Sequence, residues 1–187
     1  MTPQALRNSL CKQRLRLTKK QRSQAAKSVA KQLCRLPQFQ FSQHIAFYIP
    51  IRGELDPLPL LERALAMQKK CYLPILHPLN KNALYFCQYK KGDPLFPNRY
   101  GILEPTFNLQ KLIPAWALDC LLVPLVGFDE KGNRLGMGGG FYDRTFAFKK
   151  TRCRAHPYLI GVGYSFQKLT SLNPQWWDVP MNIVIAG

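Results

Sequence analysis

No aspartate or glutamate occurs before Glu54 in this 187-residue chain. The 53 residues that precede it carry eleven Lys and Arg, so the first quarter brings positive charge and no carboxylate chemistry. Over the whole length ten acids stand against 27 bases, a formal net charge of +17. Such a field attracts anions, whether a nucleic acid or a polyanionic small molecule, unless it is only a solvated helix face that aids solubility. Long apolar runs are missing too, and none approaches the roughly 20 residues of a membrane-spanning helix. The first twenty residues lack an apolar stretch of about 7–15 residues, so they do not read as a secretory signal and suit a surface helix better than a transit peptide. Six cysteines (Cys11, Cys34, Cys71, Cys87, Cys120 and Cys153) lie far apart with no CxxC pair. That spacing argues against a zinc site and for reduced thiols in a cytoplasmic protein. None of the three histidines, His44, His77 and His156, stands in a recognisable triad context, and no nucleophile-elbow pattern exists. Histidine acid–base chemistry and a covalent serine or cysteine intermediate are therefore not expected.

What is present reads as an α/β protein of one domain, residues 1–187, with the basic helices of residues 1–36 packed onto it. Leu6, Leu10 and Leu17 can share one face of a first helix, with Arg7 and Arg14 beside it. A second helix begins at Thr18, which with Gln21 has the spacing of a capping box, and Pro37 closes it. Asp56 can cap a third helix whose first residue is Pro57. "HIAFYIP", "CYLPIL", "ALYFCQY", "DCLLVPLVGF", "YLIGVGY" and "NIVIAG" read as strands, with a brief extended piece at "GIL" and a turn at Asn80–Lys81–Asn82. Alternation of strand and helix with short links predicts a doubly wound, mostly parallel sheet with helices on both faces.

Four of the chain's twelve glycines fall within residues 136–140, in "RLGMGGGFYDR". Glycine loses the most freedom on folding, so such a cluster is costly unless the backbone needs unusual torsions or a close neighbour. The loop is expected directly after the buried strand "DCLLVPLVGF" and before a helix "FYDRTFAFKK", at the edge of an open sheet where ligands bind. There its N–H groups and the helix start could cradle a polyphosphate, Arg134 could neutralise its oxygens, and Asp143 could hold a bridging magnesium ion. A purely structural turn is the alternative. The pattern fails the strict dinucleotide fingerprint and is not a Walker loop. Glu54, expected on the same sheet edge, is either a functional acid or simply exposed. Asp178, in "WWDVP", needs a partner or a metal if buried, and is otherwise a turn or helix cap.

These residues resemble a known family. "LLVPLVGFDEKGNRLGMGGGFYDR", with "LRNSLCKQRLRLT", "GELD", "YLPIL", "GILEP" and "WWDVPMN", is similar to the 5-formyltetrahydrofolate cyclo-ligase family over nearly the whole chain. The resemblance implies an ATP- and magnesium-dependent ring closure of 5-formyltetrahydrofolate to 5,10-methenyltetrahydrofolate through a phosphorylated formyl oxygen, and a doubly wound fold. It implies that Arg7 and the run Arg134, Leu135, Gly136, Met137, Gly138, Gly139, Gly140, Phe141 and Tyr142 bind ATP, with Arg134 and Asp143 catalytic. Folate contacts fall on Ile49, Glu54, Met137, Gly138, Gly139, Gly140 and Phe141, and magnesium ligands on Asp143 and Asp178. The chain departs from the family at Pro3, where a basic residue is common, and at Phe141, where tyrosine is. The expected partners are small molecules, ATP and 5-formyltetrahydrofolate with or without a polyglutamate tail, with no membrane and no nucleic acid, and the protein is expected to be a monomer.

Overall fold

The computed structural model describes residues 2–77, 83–151 and 156–187. In chain order it contains α1 (Pro3–Arg16), α2 (Lys19–Cys34), α3 (Pro37–Phe41), β1 (His44–Ala46), α4 (Leu58–Ala66), β2 (Lys70–Leu76), β3 (Leu84–Tyr89), β4 (Leu95–Pro97), β5 (Leu103–Pro105), β6 (Leu112–Ile113), β7 (Cys120–Pro124), β8 (Gly127–Phe128), β9 (Arg134–Leu135), α5 (Phe141–Thr145), α6 (Phe148–Thr151), β10 (Tyr158–Gly163) and β11 (Ile183–Ala186). The turn expected at Asn80–Lys81–Asn82 lies outside the described residues.

Seven strands form the central sheet in the order β11-β10-β7-β1-β2-β3-β6. The five from β11 to β2 are mutually parallel, while β3 and β6 close one side antiparallel. Strand alternation assigns the two core faces. Ile45, Cys71, Leu73, Cys120, Leu122, Ile160 and Val162 pack with Val29 and Leu33 of α2 and Leu60, Leu61 and Ala64 of α4. Their neighbours Ala46, Tyr72, Leu121, Val123 and Leu159 face the opposite way, onto Leu118, Phe128 and Phe146. α2 and α4 thus cover one face, and Tyr142 of α5 and Phe148 of α6 pack on the other, as parallel strands buried on both sides require.

The helix starts follow local chemistry. Thr18 and Gln21 form the capping box, with both reciprocal bonds made. α2 ends at Cys34, and Pro37 opens the short α3 instead of closing α2. α4 begins at Leu58, one residue later than the pattern indicates, with Asp56 Oδ1 accepting its N–H at 2.9 Å. α1 joins the molecule through Leu10, which packs with Val126 and Leu135.

Two expectations near the glycines are corrected. The strand "DCLLVPLVGF" does not run straight into the loop: β7 stops at Pro124, and a hairpin of β8 and β9 intervenes. One bond to β10 reaches past Pro124, from Leu125 N–H to the Val162 carbonyl at 3.2 Å, and Val126 N–H then turns to the Leu135 carbonyl. "FYDRTFAFKK" is likewise two short helices, α5 and α6, separated at Phe146–Ala147, with Phe146 buried against Phe86.

The chain proceeds from β1 to one side of the sheet and then returns through β7 to the other, so strand order reverses between β1 and β7. In open α/β sheets the crevice beyond the carboxyl ends of such strands is where ligands bind. Glu54 follows β1, and the β8–β9 hairpin with the glycine loop follows β7.

Candidate active site

The turn after β1 supplies the first wall. The chain doubles back at Arg52, whose φ is +47°, an uncommon conformation for a side-chain-bearing residue, and Glu54 N–H donates to the Ile51 carbonyl at 2.9 Å. Glu54 is not simply exposed. It is 8% accessible, and its Oε2 accepts from Ile51 N–H at 3.2 Å. Burial pushes its carboxyl up, opposed by that N–H and by the Arg14 and Arg52 charges. Tyr48 beside it is buried and donates from its hydroxyl to the Leu55 carbonyl at 2.5 Å. Ile49 is half-buried against the α2–α4 face of the core.

The β8–β9 hairpin aims the second wall. Its turn is organised by buried Asp129, a residue the sequence reading passed over. Oδ1 accepts from Lys131 and Asn133 N–H, both at 3.0 Å, and Oδ2 from Asn133 Nδ2 at 2.9 Å and Leu172 N–H at 3.0 Å. Burial alone would raise this carboxyl, but the four hydrogen bonds outweigh it and hold it below its ordinary range. An Asp two and four residues ahead of turn N–H groups, in "FDEKGN", is the Asx-turn signal that could have found it. Met181 N–H to the Gly132 carbonyl, at 2.9 Å, ties the same turn to the segment before β11.

Arg134 leaves this hairpin and begins the loop. Gly138 has φ +92° and Gly140 +63°, torsions that side-chain-bearing residues rarely adopt, so the glycine cluster answers a backbone requirement. Arg7 of α1 donates from Nε to the Gly136 carbonyl at 2.8 Å, and Arg144 donates to the Gly139 carbonyl. Tyr100, from the β4–β5 hairpin, meets Phe141 edge-on with ring centroids 5.8 Å apart. Met137 is half-exposed at the loop tip. α5 is only five residues long, so the attraction this loop exerts on an anion rests on arginine side chains more than on a helix dipole.

At the root of the loop Arg134 Nη2 meets Asp143 Oδ1 at 2.5 Å, with side chains 7% and 14% accessible. The same Oδ1 accepts from Val179 N–H at 3.1 Å, which carries Asp143 to the residue beside Asp178. Asp178 is half-buried and caps its own turn, with Oδ2 accepting from Gln175 N–H at 2.7 Å. Among the described residues Arg134 Nε, though buried, has no hydrogen-bond partner, and its guanidinium lies 5.9 Å from the centre of the Tyr142 ring. Burial, then the Glu54 charge, push the Tyr142 phenol well above its usual range, against the pull of Arg134. Tyr142 thus sits electrostatically between the two walls.

The donor set can be tested against a metal. Among the described residues no three of His, Cys, Asp and Glu cluster closely enough to hold an ion alone. Two carboxylates at one peptide suit magnesium, which usually takes one or two carboxylates and completes its shell with phosphate and water. Both bonds on Asp143 fall on Oδ1. Cys71 and Cys120 stay outside this chemistry, since burial pushes both thiols up to about 12. No helix among the described residues is long and apolar enough to cross a membrane.

Hydrogen bonds thus tie Arg7, the run from Arg134 to Asp143 and the residue beside Asp178 together, and Tyr142 of that run feels the Glu54 charge. Comparison with known proteins follows the same lines. The model of the 5-formyltetrahydrofolate cyclo-ligase family matches residues 2–187. The chain is 38% identical to the 5-formyltetrahydrofolate cyclo-ligase of Haemophilus influenzae, over 98% of this chain and 97% of that protein. Against the Escherichia coli K12 enzyme of the same name it is 36% identical, over 91% and 92%. In structure it is similar to the 5,10-methenyltetrahydrofolate synthetase of Aquifex aeolicus, with TM-score 0.82 and 31% identity, covering all of this chain and 90% of that one.

Proposed function

This chain belongs to the 5-formyltetrahydrofolate cyclo-ligase family, and from that premise we propose how its site performs an ATP-driven ring closure. The protein is a ligase of folate one-carbon metabolism that converts 5-formyltetrahydrofolate to 5,10-methenyltetrahydrofolate. The proposal adds the co-substrate, the metal and the route, on residues 1–187 acting as one domain and as a cytoplasmic monomer. Every residue assigned below comes from the one chain.

The chemistry sets the requirement. The formyl group on N5 is an amide, and its oxygen is a very poor leaving group. In the proposed route that oxygen attacks the γ-phosphorus of ATP and ADP departs, leaving an iminophosphate. N10 then attacks the activated carbon and gives up its proton, and the carbon–oxygen bond breaks to release phosphate carrying the former formyl oxygen. No covalent enzyme intermediate is needed, so positioning and charge neutralisation are the protein's work.

In this reading Arg7 and Arg134 to Tyr142 bind ATP, and Arg134 neutralises charge on the transferring phosphoryl group. Asp143 and Asp178 would hold magnesium, which when bound supplies positive charge to the phosphate oxygens. Glu54 accepts from the N–H donors of the pterin edge, with Ile49 and Met137 to Phe141 lining the folate. The basic half draws in both anionic substrates. The observation that supports the reading is the Arg134–Asp143 pair at the root of a glycine loop, a cation and a carboxylate side by side, the two charge types that a phosphate and a metal ion would need.

Purified protein mixed with 5-formyltetrahydrofolate should develop the methenyl chromophore only when ATP and magnesium are both present. Folate and ATP binding without any chromophore would contradict the catalytic assignment, and chromophore formed without ATP would contradict the assigned route.

A further inference from the structure

We propose that Arg14 is a positioning residue for the folate site, holding Glu54 as a carboxylate whose Oε1 receives the ligand's N–H donors. The inference rests on the assignment of Glu54 as a folate contact. It starts from an anomaly: Arg14 belongs to a basic helix yet is 1% accessible. Its Nε donates to the Arg52 carbonyl at 3.0 Å, while Nη1 and Nη2 are buried with no hydrogen-bond partner among the described residues. A guanidinium so enclosed is costly unless a counter-charge is near. Glu54 is that counter-charge, with Oε1 3.9 Å from Nη1.

That separation is too long for a hydrogen bond and short enough for strong attraction in a partly desolvated site. The two Glu54 oxygens thereby differ. Oε2 is taken by Ile51 N–H, whereas Oε1 accepts no hydrogen bond among the described residues. An ionised carboxylate with one oxygen uncommitted matches a pterin edge, which presents N–H donors.

The other groups around Glu54 leave Arg14 as its paired cation. Arg52 and Asp56 lie in the same turn, and the Arg22 guanidinium of α2 is spent on the Arg14 and Leu15 carbonyls at 3.5 and 3.1 Å. Tyr48, Tyr142 of α5 and Tyr164 beyond β10 all feel the Glu54 charge: burial and then Glu54 raise the first two phenols, while at Tyr164 burial prevails over the opposing Arg22 and Arg14 charges, with Asp56 and Glu54 adding to it. Tyr164 in turn donates to the Gly53 carbonyl at 3.1 Å, fixing the turn from behind. Against burial, the Ile51 N–H and the Arg14 and Arg52 charges favour the ionised form.

The test measures the dissociation constant of 5-formyltetrahydrofolate, without ATP, from about pH 5 to about pH 9, across the carboxyl and imidazole ranges. Arg14→Met should move the acidic loss of affinity upward by about one pH unit or more, as removal of a neighbouring opposite charge does. Its KM for ATP should stay within about twofold, and Arg14→Lys, which keeps the charge, should retain the wild-type limb. Glu54→Gln should bind weakly at every pH with no acidic limb, and adding Arg14→Met to it should cost nothing further. Unchanged affinity in Glu54→Gln would overturn the folate assignment itself. Weakened binding there, with a wild-type limb in Arg14→Met, would overturn the role of Arg14 alone. Should Arg14→Met fail to fold, the double variant decides: recovered folding supports the pairing, since no lone buried charge remains, and continued unfolding contradicts it.

Discussion

Asp143→Asn should bind 5-formyltetrahydrofolate within about threefold of the wild type while turnover falls on the order of a hundredfold or more, the usual cost of losing one charge-stabilising contact. The substitution preserves shape. An asparagine oxygen can still accept the Val179 N–H that Asp143 Oδ1 holds at 3.1 Å, so the segment carrying Asp178 keeps its anchor. What disappears is the negative charge. Arg134 loses its 2.5 Å partner, and the proposed magnesium site loses one of its two carboxylates. Neither loss touches the wall carrying Glu54, so folate affinity is the internal control. Steady-state rates over a magnesium series, beside a folate titration, measure both. A variant turning over at near the wild-type rate would remove Asp143 from the metal site.

Arg134→Lys should be nearly as damaging despite keeping the charge. We expect kcat/KM for MgATP to fall roughly a hundredfold, the scale of one lost donor to a developing oxyanion, with the folate dissociation constant within about threefold. Arg134 faces two ways: Nη2 engages Asp143, and its guanidinium also lies toward the Tyr142 ring. A planar fork can keep the carboxylate with one arm and meet phosphate with another, whereas an ammonium is a compact point charge on a flexible stem. Nucleotide-dependent kinetics at saturating folate isolate the effect. Full activity in the lysine variant would show that only charge at this position matters.

The parts of the fold legible in the sequence are those with local causes. The apolar runs "CYLPIL" and "YLIGVGY" read as strands, and they form β2 and β10. Thr18 and Gln21 are three apart and close their own box. The glycine cluster marks the loop because positive φ at Gly138 and Gly140 is a requirement of the residues themselves. The parts not legible have distant causes. Arg14 looks like any residue of a solvated basic helix until Arg52 and Glu54, some forty positions on, enclose it. Asp129 matters because it reaches Leu172, a partner no spacing rule names. The hairpin between β7 and the loop is hidden because "LVGF" is as apolar as the strand it follows, and only Pro124 hints at the break. Asp143 and Asp178 come from segments far apart in sequence, and their approach depends on Val179 N–H finding Asp143.

The central claim is that ATP serves to turn the formyl oxygen into a leaving group while the protein positions and neutralises. It is tested most directly by labelling that oxygen with a heavy isotope, running the ATP- and magnesium-dependent reaction, and analysing the products by mass spectrometry. Label recovered in the released phosphate, one atom per turnover, is the predicted result. Label recovered in water, with unlabelled phosphate, would mean that ATP hydrolysis is not coupled through the formyl oxygen and would contradict the account.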